Sequence, residues 1–136
     1  MNGGAVLEGG CLCGAVRYRV EGAPFDAEYC HCRMCQRFTG AAAANWMDFK
    51  REQVTFSAGE VREYASSEHV RRGFCAQCGS ALSFRDTRYP QYYTLTIASL
   101  DQPNAVRPTR HLFTDSRLEW FDPNDDCPRF PRGPGS

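Results

Sequence analysis

The chain has 136 residues, 42% of them hydrophobic and 12% aromatic, and its 16 Lys+Arg balance 16 Asp+Glu for a formal net charge of +0. Such a composition fits one globular domain and excludes a disordered chain or a generally basic nucleic-acid binder. No apolar run approaches the ~20 residues of a membrane helix, and Met1 to Gly10 lacks a charged-then-apolar signal pattern, so a cytoplasmic protein with no membrane or nucleic-acid partner is expected. Along the chain, Ala15-Val-Arg-Tyr-Arg-Val20 alternates apolar and polar side chains, as a half-buried strand does. Gly22-Ala-Pro24 turns it. Arg33 to Thr39 reads as a short helical turn before Gly40, and Ala41 to Trp46 as a buried strand despite its alanines. Gln53-Val-Thr-Phe-Ser57 and Val61-Arg-Glu-Tyr64, on either side of Gly59, read as a hairpin. Val70 to Phe74 and Ala81 to Phe84 flank a cysteine pair, and Tyr92-Tyr-Thr-Leu-Thr-Ile97 is the clearest β segment. Thr109 to Thr114 and Leu118 to Phe121 are further short strands, followed by a Pro/Gly-rich tail at 122–136 that reads as mobile. With no sustained 3.6-residue period and no internal repeat, the fold class is mainly β: a single domain of small antiparallel sheets.

Seven of the eight cysteines fall into three clusters: Cys11 and Cys13; Cys30, Cys32 and Cys35; Cys75 and Cys78. Cys127 stands apart in the tail. An even count permits a disulfide framework, but nothing directs the chain to an oxidising compartment. C-x-C and C-x-x-C spacings instead bring several sulfurs to one point, as a tetrahedral metal with Zn–S bonds of ~2.3 Å requires. A thioredoxin-like role for Cys75 and Cys78 fits poorly, because Gly79 to Phe84 reads as turn and strand rather than helix. Thiolate-rich sites select zinc or iron–sulfur clusters, and ferredoxin spacings are absent. Gly14 and Gly79 directly follow the last ligand of the first and third clusters, where a tight turn aims amide N–H groups at the sulfurs. Cys11, Cys13, Cys75 and Cys78 therefore pair as a closed, structural zinc site.

Cys30, Cys32 and Cys35 remain, and three ligands with one open position is the usual arrangement of a catalytic zinc. His31 lies between two ligands and is expected to point away; Cys127, His69 or His111 are the alternatives that would close the site. Three thiolates give an electron-rich zinc that is a weak Lewis acid but binds a fourth thiol as thiolate, pointing to thiol chemistry on an electrophile rather than hydrolysis. Fifteen of the sixteen basic residues are arginines, and Lys50 alone could form a Schiff base. Arg33, Arg37, Arg71 and Arg72 lie close in sequence to the ligands and are candidates to hold the carboxylates of an anionic thiol.

The order Gly10-Cys-Leu-Cys-Gly-Ala-Val-Arg-Tyr18, Cys30-His-Cys-Arg-Met-Cys-Gln-Arg-Phe-Thr-Gly40 and Arg72-Gly-Phe-Cys-Ala-Gln-Cys-Gly-Ser-Ala-Leu82 resembles the glutathione-dependent formaldehyde-activating enzyme family, which includes centromere protein V-type proteins. The likeness runs from about residue 8 to 121 and takes in Arg110-His-Leu-Phe113. It implies a zinc-stapled β-tent over 8–121, with a structural zinc on Cys11, Cys13, Cys75 and Cys78 and a catalytic zinc on Cys30, Cys32 and Cys35. It further implies a carbon–sulfur lyase that joins a thiol such as glutathione to formaldehyde or a related small electrophile, giving S-(hydroxymethyl)glutathione. The alternative is a non-catalytic zinc-binding module that binds or senses a thiol or docks a protein partner.

Overall fold

The computed structural model describes residues 5–136, so the start of the Met1–Gly10 segment lies outside them. The described residues form ten strands and one α-helix: β1 (Val6–Gly10), β2 (Arg17–Glu21), β3 (Asp26–Cys30), α1 (Arg33–Thr39), β4 (Ala44–Lys50), β5 (Val54–Ala58), β6 (Arg62–Ala65), β7 (Val70–Phe74), β8 (Ala81–Asp86), β9 (Tyr92–Thr96) and β10 (Arg110–Leu112). The fold is mainly β, as expected. No helix among the described residues is long and apolar enough to cross a membrane.

A small antiparallel sheet runs β1-β2-β5, and a seven-stranded sheet runs β10-β3-β4-β9-β8-β7-β6. Within the larger sheet only β10 lies parallel to its neighbour, β3. The alternation in β2 buries Tyr18 and Val20 against Met47 and Phe49 of β4, Val54 of β5 and Leu95 of β9, while Arg17 and Arg19 face outward. Each such large side chain removed from water contributes roughly 1.5–3 kcal/mol. The Tyr18 hydroxyl, buried with its ring, meets Ser99 Oγ at 2.6 Å.

Three expectations change. The segments around Gly59 do not pair as a hairpin: β5 joins β2 in the small sheet and β6 joins β7 in the large one. Gly59 passes so close to the first cysteine loop that a Cβ there would lie 2.3 Å from the Ala15 carbonyl oxygen, and the chain crosses between sheets at that point. Leu118 to Phe121 is a turn, with Phe121 N–H donating to the Leu118 carbonyl at 3.0 Å and the Arg117 guanidinium capping both carbonyls. The tail is bound rather than loose. His111 N–H donates to Pro128 O at 2.8 Å, Phe130 N–H to His111 O at 2.9 Å, and Phe113 N–H to Arg132 O at 2.9 Å. Proline brings no N–H, but its carbonyl still satisfies the free edge of β10.

Candidate metal centres and the adjoining cavity

All eight cysteines are free thiols, and seven of them gather into two clusters whose sulfurs lie within 4.8 Å of one another. The first cluster joins Cys11 and Cys13, from the loop between β1 and β2, to Cys75 and Cys78, from the loop between β7 and β8. Its contacts of 3.6 Å for Cys11–Cys13 and 3.7 Å for Cys13–Cys75 approach the ~3.8 Å that a tetrahedral zinc with ~2.3 Å bonds imposes. Gly14 and Gly79 take left-handed φ values of 83° and 79°, and their N–H groups turn back to the carbonyls of Cys11 and Cys75. Amides of Val16, Gln77 and Cys78 donate to sulfur at 3.2–3.4 Å. The Ser80 hydroxyl, 3.1 Å from Cys78 Sγ, pulls that thiol down to about 5, with the Ser80 amide adding to the effect. The donor set and spacing fit a structural zinc.

The second cluster is Cys30, Cys32 and Cys35, and no fourth His, Cys, Asp or Glu atom joins it among the described residues. Cys30 ends β3, and Cys32 is the N-cap of α1, its sulfur accepting the Cys35 amide at 3.3 Å. Contacts with Cys30 and Cys35 pull the Cys32 thiol down to about 2, while contacts with Cys32 and Cys35 push Cys30 far up. Sulfurs this close cannot all ionise without a cation between them, so the donor set fits a metal ion here too. Cys35 accepts two more donors at 3.4 Å, Trp46 Nε1 and Arg72 Nη1.

The alternative ligands lie elsewhere. Cys127 Sγ faces the Pro108 carbonyl at 3.8 Å, and His69 pairs with Glu68. His31 turns away: its Nε2 bonds His111 Nδ1 at 2.9 Å, and His111 Nε2 bonds Asp125 at 3.1 Å. Burial, followed by the nearby charges, lowers His31 to about 4 and keeps it neutral.

The second cluster opens on a cavity of about 560 Å³ walled by Met34, Trp46, Phe84, Leu112 and Phe113. Its polar lining is Arg33, Arg72, Glu28, Asp48, Thr94 and Arg110. Arg37 instead lines a smaller neighbouring hollow that shares Met34 and Arg72, and Arg71 is spent on the carbonyls of Ser67, Glu68 and Val70. Arg110 holds Glu28 at 2.9 Å. Burial, with Asp48 beside it, still pushes the Glu28 carboxyl up to about 9, and burial raises Asp48 as well. Glu28, Asp48 and Arg110 join the site without a local motif that marks them for it. Their signal is the period of two: Glu28 shares a strand face with Cys30, and Asp48 shares one with Trp46.

Residues 6–116 match the model of the family described as glutathione-dependent formaldehyde-activating enzyme. The chain belongs to that family. A Halomonas elongata protein that carries the name putative glutathione-dependent formaldehyde-activating enzyme is 29% identical over 126 residues, covering 86% of this chain and 80% of that one. An uncharacterized lyase of Schizosaccharomyces pombe is 30% identical over 80 residues, 59% of this chain and 58% of its own. In fold, this family member resembles the crystal structure of a Rhodobacter sphaeroides protein with a TM-score of 0.58 at 23% identity, over 90% of this chain and 98% of that one.

Proposed function

We propose that residues 8–121, strapped by the 122–136 tail, form a zinc-dependent carbon–sulfur lyase that adds a thiol, glutathione or one like it, to formaldehyde or a related small electrophile. One observation carries this reading: three thiols without a fourth protein ligand among the described residues stand at the wall of a largely apolar cavity. Cys30, Cys32 and Cys35 would hold a zinc ion, and its chemistry would be to make a bound thiol acidic enough to be a thiolate at neutral pH. The chain's own residues do the rest. Phe84 and Leu112, with Met34 and Phe113 at the rim, give the reacting atoms an apolar wall. Arg33, exposed at the rim, offers its charge to a carboxylate of the thiol. The Glu28–Asp48 pair lines the same cavity as the three thiols and retains a proton at neutral pH, which it can offer to the electrophile's oxygen as the C–S bond forms. Eight free thiols fit a cytoplasmic protein.

Exchange NMR on glutathione and formaldehyde, which also combine spontaneously, tests the reading. Zinc-loaded protein should accelerate formation of S-(hydroxymethyl)glutathione, and Cys32→Ser should return the rate to the spontaneous one. Protein holding two zincs that accelerates nothing across several thiols overturns it.

A further inference from the structure

Arg72 is 4% exposed, yet none of the arginine–carboxylate ion pairs of the described residues includes it. Its Nε donates to Ser66 Oγ at 3.1 Å and its Nη1 to Cys35 Sγ at 3.4 Å. The rings of Phe38 and Phe84 hold the guanidinium between them, with centroids 5.6 and 5.2 Å from Cζ. A buried cation whose only polar partners are a hydroxyl and a sulfur is strongly unfavourable unless that sulfur is negative. Placement of the charge is fixed by the fold: β7 presents Arg72 to the cavity and ends at Phe74, one residue before Cys75 of the other cluster.

We propose that Arg72 is the fixed counter-charge of the Cys30–Cys32–Cys35 centre, holding Cys35 through its sulfur so that the centre can take an anionic sulfur as a fourth ligand. This rests on the reading that the three thiols hold a divalent metal and admit an outside thiol. Three thiolates and a divalent cation sum to −3 + 2 = −1. Arg72 brings that to zero, so an entering thiolate leaves −1 in the cavity wall rather than −2. Donation from Arg72 and from Trp46 also draws charge off Cys35, which lessens the electron density its thiolate gives a bound metal and so favours a further anionic ligand. Arg72 is thus a positioning residue, acting through Cys35.

Cobalt(II)-loaded protein provides the test, with 2-mercaptoethanol as the probe because it has no carboxylate for an arginine to bind. In Arg72→Met and Arg72→Gln the thiolate-to-cobalt absorption should shift and 2-mercaptoethanol affinity should fall about 10–100-fold, the usual range for losing a partner of a metal ligand. Arg72→Lys should recover most of that affinity, and every variant should retain two cobalts. If Arg72→Met does not fold, Gln against Lys gives the same comparison. Unchanged absorption and full affinity in Arg72→Gln overturn the proposal, as does a Lys variant no better than Gln, which makes the residue a packing element. Wild-type protein that holds two cobalts but takes no 2-mercaptoethanol refutes the thiol reading instead. Arg72 is then judged on the absorption of thiol-free protein, where no shift in Arg72→Gln overturns it.

Discussion

Cys32 serves the centre twice, as a metal-ligand candidate and as the helix cap of α1. Serine caps a helix well, so Cys32→Ser should keep the fold and reduce the metal content from two zincs to one. Cys32→Ala should be less stable by roughly a further 1 kcal/mol because the cap is lost as well. Elemental analysis with thermal unfolding distinguishes these outcomes, and loss of both zincs from the serine variant would contradict two separable centres. Glu28 gives the second residue-scale prediction. Its carboxyl, ordinarily near 4.5, is raised to about 9 by burial and by Asp48. A raised pKa means that the folded state holds the proton more tightly than the unfolded one. The stability it contributes is full below about 4.5 and is lost as pH rises through about 9. Glu28→Gln, which stays neutral, should therefore flatten the decline in melting temperature between pH 5 and pH 9; an identical decline in both proteins would exclude Glu28 as its source. The cysteine clusters were readable because C-x-C and C-x-x-C spacings bring two or three sulfurs together within one turn of chain. Glu28 and Asp48 were not, since they meet only through the β3–β4 register, in which Asp26 opposes Asp48 and Glu28 opposes Trp46.

At the scale of elements, α1 and β7 match their expected residues, because each has a boundary visible in the sequence: Gly40 after one and a cysteine knuckle after the other. The β5–β6 hairpin was misread because two alternating segments around a glycine look the same whether or not they pair with each other. The tail was misread because prolines and glycines usually mark a loose end, whereas here the carbonyls of Pro128 and Arg132 extend the β10 edge. Asp125 anchors it. His111, the Cys127 amide and Arg129 hold that carboxylate ionised against its partial desolvation. Asp125→Ala should lower the melting temperature, because it removes the partners of His111, the Cys127 amide and Arg129 together, and should speed amide exchange at His111 and Phe130. Unchanged exchange at both amides would show that the strap holds without Asp125.

Over the whole molecule, the two cysteine centres stand at different places, and the proposed function gives them different tasks. Cys11 and Cys13 belong to a loop of the small sheet, and Cys75 and Cys78 to a loop of the large one, so a metal there joins the sheets beside a shared apolar core. Cys75→Ser should lower the melting temperature by roughly 10 °C or more, at about 2–8 °C per kcal/mol, whereas Cys32→Ser should lower it far less. Equal losses would place both centres in the scaffold. The mainly β class and the four-plus-three division were both legible from composition and spacing. The parallel β10 edge and the cavity's carboxyl pair were not, because both depend on long-range pairing that local patterns do not encode.

In the proposed function one centre is closed by protein and the other is completed by substrate. X-ray absorption at the zinc edge of protein holding two zincs measures it directly. Four sulfurs at one centre and three at the other average (4 + 3)/2 = 3.5 per zinc, and saturating glutathione should raise the average to (4 + 4)/2 = 4. An average of 4 before glutathione is added, or one that stays at 3.5 afterwards, would contradict the account.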